Sequence, residues 1–543
     1  MLGKFFDKIL HEDEASLNES LRGKIPSQEK FKHPWVWAVI FFAAAFIFRI
    51  GILFFMTIPE NVGPGWYGDV YHHWQIAYLS KTVGFKEGFL RLWDFKGLEY
   101  YWGLLHPLTL IVAFTLSGST SVVIARMVSV IFGSGVVALI FLILARYFDK
   151  KIAILGSLFA SFIPVSAFSD TLGMQEPLGL FFILLGIFLW IENPFFSGFA
   201  LMLAGMVRSE YWIFSVLIIL AFVFVSKTDS HHKVMICISY LVLALIYMKY
   251  LLDYTGNPIY PVWTAYLATY KGDWFLDVAL TPLQSSIKLF SQLVFVASLS
   301  GVLLTVWKRP KATALFLLGF LNIALISAMH GFGAYIRGFE LKVLVDRLLA
   351  FPYTFLGILA SIIFVYYLPK IFPKKIHTTG IILGLVVCAS ILLVAQFAWI
   401  PILKYYRQAI GNFQAEVDIA KVVSRNYKRE GKIFLPSDRA VLTYALVTYE
   451  KIPGDKLISQ LYDPFYYYKG DNPFANWEEF RKEVIKWLVK NDAELYVTAV
   501  KALANEDRSF QERMLGLEKG KLFRLLEEKQ GFSIYGVILN AEE

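Results

Sequence analysis

The stretch FFSGFALMLAGMVRSEYWIFSVLIILAFVFVS, residues 195–226, is apolar except at Arg208-Ser209-Glu210. It reads either as one long tilted helix or as two short helices joined at those polar residues. The positive-inside rule separates the two readings, because short cytoplasmic loops collect Lys and Arg. One helix would put Lys308, Arg309 and Lys311 outside, together with Lys370, Lys374 and Lys375. Two helices return both clusters to the cytoplasm, along with Arg146, Lys150, Lys151, Lys227 and Lys233. The second reading satisfies every basic cluster and is the one adopted.

Working outward, further apolar runs cover 34–58, 120–145, 152–169, 177–191, 233–252, 287–306, 312–329, 349–368 and 378–400. Each approaches the roughly 20 residues a helix needs to cross the hydrocarbon core. The expected fold is therefore an α-helical polytopic membrane protein of about eleven spans. Its polar amino-terminal segment, 1–33, carries Lys24, Lys30 and Lys32 and stays in the cytoplasm. The first apolar run, Pro34 to Ile58, is too long for the core of a cleavable signal. Composition agrees: 57% of the 543 residues are hydrophobic, only 17% are charged and the mean hydropathy is +0.54. Soluble domains run near 25% charged.

The two cysteines, Cys237 and Cys388, both lie in apolar runs, which gives neither a disulfide framework nor a zinc pattern. A net charge of +9 spread over short clusters sets topology, so no nucleic-acid partner is expected. Span parity places 59–118, the turns 169–176 and 207–211, the loops 253–286 and 330–348, and everything after about 402 outside the cell membrane. Asp69, His72, His73, His106, Asp170, Glu176, Arg208, Glu210, Arg337, Lys342 and Arg347 then collect on one side. A transporter would place ionisable groups near the midplane, with repeat symmetry that this sequence lacks. The chain thus divides into the amino-terminal segment 1–33, a membrane domain 34–403 with a first external loop 59–118, and a tail 404–543. The tail is charged, with a helix pattern at 477–490 and strand patterns at 432–435, 494–500 and 532–539. It reads as a small external α/β domain.

The first loop contains GWYGDVYHHWQIAY, residues 65–78, which from Asp69 onward reads as an amphipathic helix at the membrane interface. Asp69, His72 and His73 stand at i, i+3 and i+4 on one face. Asp69 either takes a proton from an acceptor hydroxyl or caps the helix after Gly68. The histidines assist, hold a divalent metal or sit at the interface, so no cofactor is assigned.

The next motifs are His106-Pro107, then SGSTSVVIARMVSVIFG at 117–133, Ala145-Arg146-Tyr147-Phe148, AILGSLFASFIP at 153–164 and Gln175-Glu176-Pro177. LAGMVRSEYW at 203–212 and DRLLAFP at 346–352 follow. In this order they resemble the GT-C superfamily of membrane glycosyltransferases, above all the protein O-mannosyltransferases and lipid A aminoarabinose transferases. The resemblance covers roughly 35–400. It implies a sugar donor carried on polyprenyl or dolichyl phosphate, a sugar such as mannose, inverting transfer, and an acceptor hydroxyl on protein, lipid or glycan. It implies Asp69 as catalytic base and a second acidic position at Asp170 or Glu176. Glu176 before Pro177 is also an ordinary helix start.

Displacing sugar from a lipid phosphate leaves an anion, which Arg side chains stabilise as charge develops. Arg208, Arg337 and Arg347 are the candidates for that contact, with Glu210 beside Arg208 and His72, His73 and His106 nearby as further substrate contacts. Lys342 and Arg126 read instead as headgroup-level anchors. The tail lacks the Trp-Trp-Asp-Tyr-Gly motif of oligosaccharyltransferases, and Asp69 is followed by Val70 where many O-mannosyltransferases have a second acid. The acceptor therefore does not carry over. The runner-up readings are an oligosaccharide or polymer transferase of the same superfamily and a flippase of lipid-linked sugars.

Overall fold

The computed structural model describes residues 33–56, 69–84, 98–147, 150–162, 164–225, 229–271, 414–436, 439–459, 464, 465, 467, 472–499 and 507–539. The expectations for 1–32, for Arg337, Lys342, Arg347 and Cys388, and for the runs between 287 and 400 lie outside the described residues.

The chain opens with α1, Pro34–Gly51, continued by a π turn at Ile52–Met56. In the first loop come α2, Asp69–Thr82, α3, Leu98–Trp102, and α4, Leu105–Ser117. Then follow α5, Val122–Tyr147, α6, Lys150–Phe162, α7, Pro164–Ser169, α8, Glu176–Leu189, and α9, Pro194–Gly205. The series ends with α10, Ser209–Val225, α11, Ser230–Thr255, and α12, Tyr260–Lys271. The tail contributes α13, Gln414–Asn426, β1, Lys432–Leu435, α14, Ala440–Thr448, and a 3₁₀ turn at Gly454–Lys456. It continues with β2, Leu457–Ser459, α15, Trp477–Lys490, and β3, Ala493–Ala499. It closes with α16, Ser509–Leu517, β4, Phe523–Lys529, and β5, Phe532–Val537. Two compact units result: Met1–Ile58 with Arg126–Tyr405, and Pro59–Ala125 with Tyr406–Glu543.

In the first unit, three described helices are long and apolar enough to cross a membrane: Pro34–Phe54, Val122–Arg146 and Ser230–Thr255. α8, α9 and α10 are apolar and shorter. Val39, Ile47, Leu245 and Ile246 are each more than 60% exposed. That much bare apolar surface suits a lipid solvent and no aqueous one. The run at 195–226 is broken where the sequence breaks it, with α9 ending at Gly205 and α10 starting at Ser209. Pro194 and Pro177 both sit at the first positions of their helices, where the missing N–H has no intrahelical partner to lose.

In the second unit, a five-stranded sheet has the order β2-β1-β3-β5-β4, parallel across β2, β1 and β3 and antiparallel from β3 to β4. Alternation along the strands feeds two cores. Ile433, Leu435, Leu495 and Val497 pack with Ile419 and Val423 of α13 and Leu442 and Leu446 of α14. Phe434 and Tyr496 face the other way, onto Phe480, Val484 and Leu488 of α15 and Met514 of α16. Asn476 caps α15 by accepting from the Glu479 amide, and Glu479 accepts in return from the Ala475 amide.

The helix expected to lie at the membrane interface is buried within the second unit. In α2, Val70, Tyr71 and every residue from His73 to Ser80 is buried. The aromatic residues that look like interfacial anchors fill a joint with the tail: Tyr71 and Trp74 lie edge-on to Tyr444 of α14, at 5.2 and 4.8 Å between centroids. The first loop thus packs with the tail, a partnership that no local sequence pattern announces.

Candidate functional site

In the first unit the polar residues at the α9–α10 break close on the start of α8. Glu176 opens α8 and Glu210 lies in the first turn of α10, both favoured places for a carboxylate because helix amino termini carry partial positive charge. Arg208 bridges them. Its Nε and Nη2 donate to Glu210 Oε2 and Oε1 at 3.0 and 2.7 Å, a two-pronged grip, and its Nη1 donates to Glu176 Oε1 at 2.6 Å. The three side chains are at most 16% exposed. Ser209 Oγ donates to Glu210 Oε2 at 3.2 Å, and Tyr211 Oη donates to the Glu176 carbonyl at 3.2 Å. Tyr211 lies across Gly179, where an added Cβ would stand 2.2 Å from the ring. Sequence reading named all three charged residues, but not that Arg208 is gripped by both carboxylates.

Asp170, the other acidic candidate of this unit, has a different setting. Arg49, inside the apolar α1 and 1% exposed, donates from Nε to Asp170 Oδ2 at 2.7 Å. Its Nη1 donates to the carbonyls of Ser161 and Ala45 at 3.2 and 3.3 Å. A Cβ at Gly133 would stand 2.2 Å from Asp170 Oδ2, so only glycine lets α5 pass this close to the carboxylate. Ser129 Oγ donates to Met174 O at 2.6 Å and fastens the same turn to α5. Arg49 was missed by sequence reading, and its signal was available: an arginine inside a membrane run must find a partner.

In the second unit Asp69 is the first residue of α2 and is half-buried. His73 and His106 are fully buried and meet edge to face at 4.7 Å, with Trp102 4.6 Å from His73. His72, half-buried, lies 5.6 Å from Trp102. Burial pushes the His106 imidazole down to about 3, so it is neutral at physiological pH. The helical spacing of Asp69, His72 and His73 thus leads into an aromatic cluster. Among the described residues no group of three His, Cys, Asp or Glu side chains is placed to hold a metal ion.

No protein-family model and no curated protein sequence matches the chain. Solved structures do. ArnT of Cupriavidus metallidurans aligns over 92% of this chain and 97% of its own, at 13% identity and a TM-score of 0.53. The membrane fold is of the GT-C type. Two further GT-C structures align less closely. AglB of Archaeoglobus fulgidus, solved with an inhibitory peptide and a dolichol-phosphate, gives a TM-score of 0.49 at 10% identity over 87% of this chain and 70% of its own. The arabinofuranosyltransferase AftD from Mycobacteria gives 0.49 at 13% identity, over 94% of this chain and 40% of its own. Within this GT-C fold the candidates fall into three local settings: Glu176, Arg208 and Glu210 in one cluster, Asp170 on Arg49, and Asp69 at the head of a buried helix.

Proposed function

We propose that the chain is a glycosyltransferase that moves a monosaccharide, such as mannose, from a polyprenyl- or dolichyl-phosphate carrier to an acceptor hydroxyl. The observation that carries this reading is the Glu176–Arg208–Glu210 cluster, set nearly out of water in an apolar body with a GT-C fold. Ionisable groups so placed are costly and are kept for function. Two carboxylates to one guanidinium leave the cluster formally negative, which suits the positive charge that develops on a sugar ring as its anomeric bond breaks. Arg208 is therefore assigned to hold the two glutamates. The leaving phosphate falls to Arg347 and Arg337, Arg being suited to it by its forked cation.

Transfer proceeds with inversion. The acceptor oxygen attacks the anomeric carbon, its proton passes to Asp69, and the bond to the phosphate oxygen breaks with its electrons leaving on the phosphate. Asp170, its carboxylate taken by Arg49, is assigned a structural role. His72, His73 and His106 pack the base helix. The topology that fits is eleven spans, with the amino terminus in the cytoplasm and the tail outside, where carrier and acceptor meet. The bilayer is the chain's solvent, and the acceptor is a protein, lipid or glycan.

The purified chain in lipid nanodiscs, given a panel of polyprenyl-phosphate monosaccharides with mannose among them, tests this. Release of polyprenyl phosphate with a new glycoside is the expected result. Net movement of intact carrier between leaflets of a vesicle, with no cleavage, would overturn the reading in favour of a flippase.

A further inference from the structure

α2 is an improbable helix taken alone, since its buried positions include Gln75 and Ser80 as well as three large aromatics. Trp74 Nε1 donates to Thr120 O at 2.6 Å, and the rest of what satisfies this face comes from the tail, more than three hundred residues on. Gln75 Nε2 donates to Thr443 Oγ1 at 2.9 Å, and both residues are buried. Tyr444 receives the rings of Tyr71 and Trp74. At the far end of α2 the 3₁₀ turn comes so close that a Cβ at Gly454 would lie 2.7 Å from Tyr78 Cε1 and 3.0 Å from Thr82 Oγ1. Gly454 has no left-handed backbone to explain it. Its missing side chain serves the close approach, against a Tyr78 ring that is itself stacked on Trp74 at 4.7 Å.

These contacts lie at 71, 74, 75 and 78, one face of one helix, and Asp69 is that helix's first residue. We propose that the tail is a positioning element for the base helix, with Thr443, Tyr444 and Gly454 fixing α2 and through it the carboxylate of Asp69. Gln75 is six residues from Asp69, about 9 Å along a helix, so a shift at the joint arrives at the carboxylate undamped. A misplacement of about 1 Å costs on the order of 10²-fold in rate when a reacting group must be held in line. The tail, read from sequence as a small external domain, thereby acts mechanically on the base helix. This inference rests on the reading of Asp69 as base.

The test uses the full-length chain in nanodiscs and reads kcat, the donor KM and hydrogen exchange of the α2 amides. Gly454→Val should lower kcat about 10²-fold with the donor KM kept within about threefold, and should speed exchange in α2. Thr443→Ala should lower kcat about tenfold, and Thr443→Ser, which keeps the hydroxyl, should restore it. The Thr443 pair carries the test if the valine variant fails to fold. Parent kcat in Gly454→Val or in Thr443→Ala, with Asp69→Asn inactive, overturns the positioning role alone. Full turnover in Asp69→Asn overturns the base assignment on which it rests. Unchanged α2 exchange in Gly454→Val overturns the joint itself.

Discussion

Replacing Asp170 by Asn keeps the shape of the side chain against Gly133 and removes its charge, leaving Arg49 buried in α1 with no counter-ion. At 2.7 Å the gross attraction is about 6 kcal/mol at an effective dielectric near 20, much of it offset by desolvation. Removing one partner of such a pair nevertheless costs roughly 3–5 kcal/mol, because the survivor stays buried and unpaired. Removing the other charge as well abolishes that penalty. Arg49→Met with Asp170→Asn should therefore regain most of the stability, since apolar replacement of buried pairs is often neutral or better. The assay is thermal unfolding in nanodiscs beside turnover of the lipid-phosphate donor. A structural latch predicts that the single variant melts well below the parent and that the double variant recovers both melting temperature and turnover. Parent-like melting of Asp170→Asn with turnover lost, not restored by Arg49→Met, would refute the reasoning and return Asp170 to the chemistry.

Three further outcomes follow from the same geometry. Arg208→Lys keeps the charge and loses the two-pronged grip on Glu210, so turnover should fall by roughly tenfold or more while Glu176→Gln falls further, as measured by sugar release at saturating donor. His106 resists protonation when folded, so between pH 6.5 and 3 the unfolded chain binds a proton that the folded chain refuses, and stability is lost as pH falls. At pH 5 that loss is about 2 kcal/mol, and His106→Gln should show a correspondingly flatter dependence of melting on pH. A cysteine at Ser509, on the exposed surface of the tail, should react with an impermeant maleimide added to whole cells, and one at Ser230 should not; the reverse pattern would invert the topology.

The break at Arg208-Ser209-Glu210 was legible because only two short helices there return every basic cluster to the cytoplasm. In the tail, β1, β3 and β5 and helix α15 were legible from period alone. β4, FRLLEEK, was not: it is an edge strand whose charges face water, and its composition reads equally well as helix. β2 has only three residues, too few to show a period. The pairing of Arg49 with Asp170 spans 121 positions, and that of Gln75 with Thr443 spans 368. No local pattern encodes such distances. The aromatic face of α2 was misread as a membrane anchor because Tyr and Trp serve an interface and a buried joint equally well.

The proposed transfer depends most directly on Asp69. Asparagine at this position keeps size and hydrogen bonding and cannot take a proton, so folding and donor binding should persist while transfer fails. Single-turnover transfer from a polyprenyl-phosphate sugar, with the anomeric configuration of the product read by NMR, measures that step alone. The parent should give an inverted product, and Asp69→Asn a rate lower by about 10²–10⁴ at unchanged melting temperature. An Asn variant that transfers sugar at close to the parent rate would contradict that dependence.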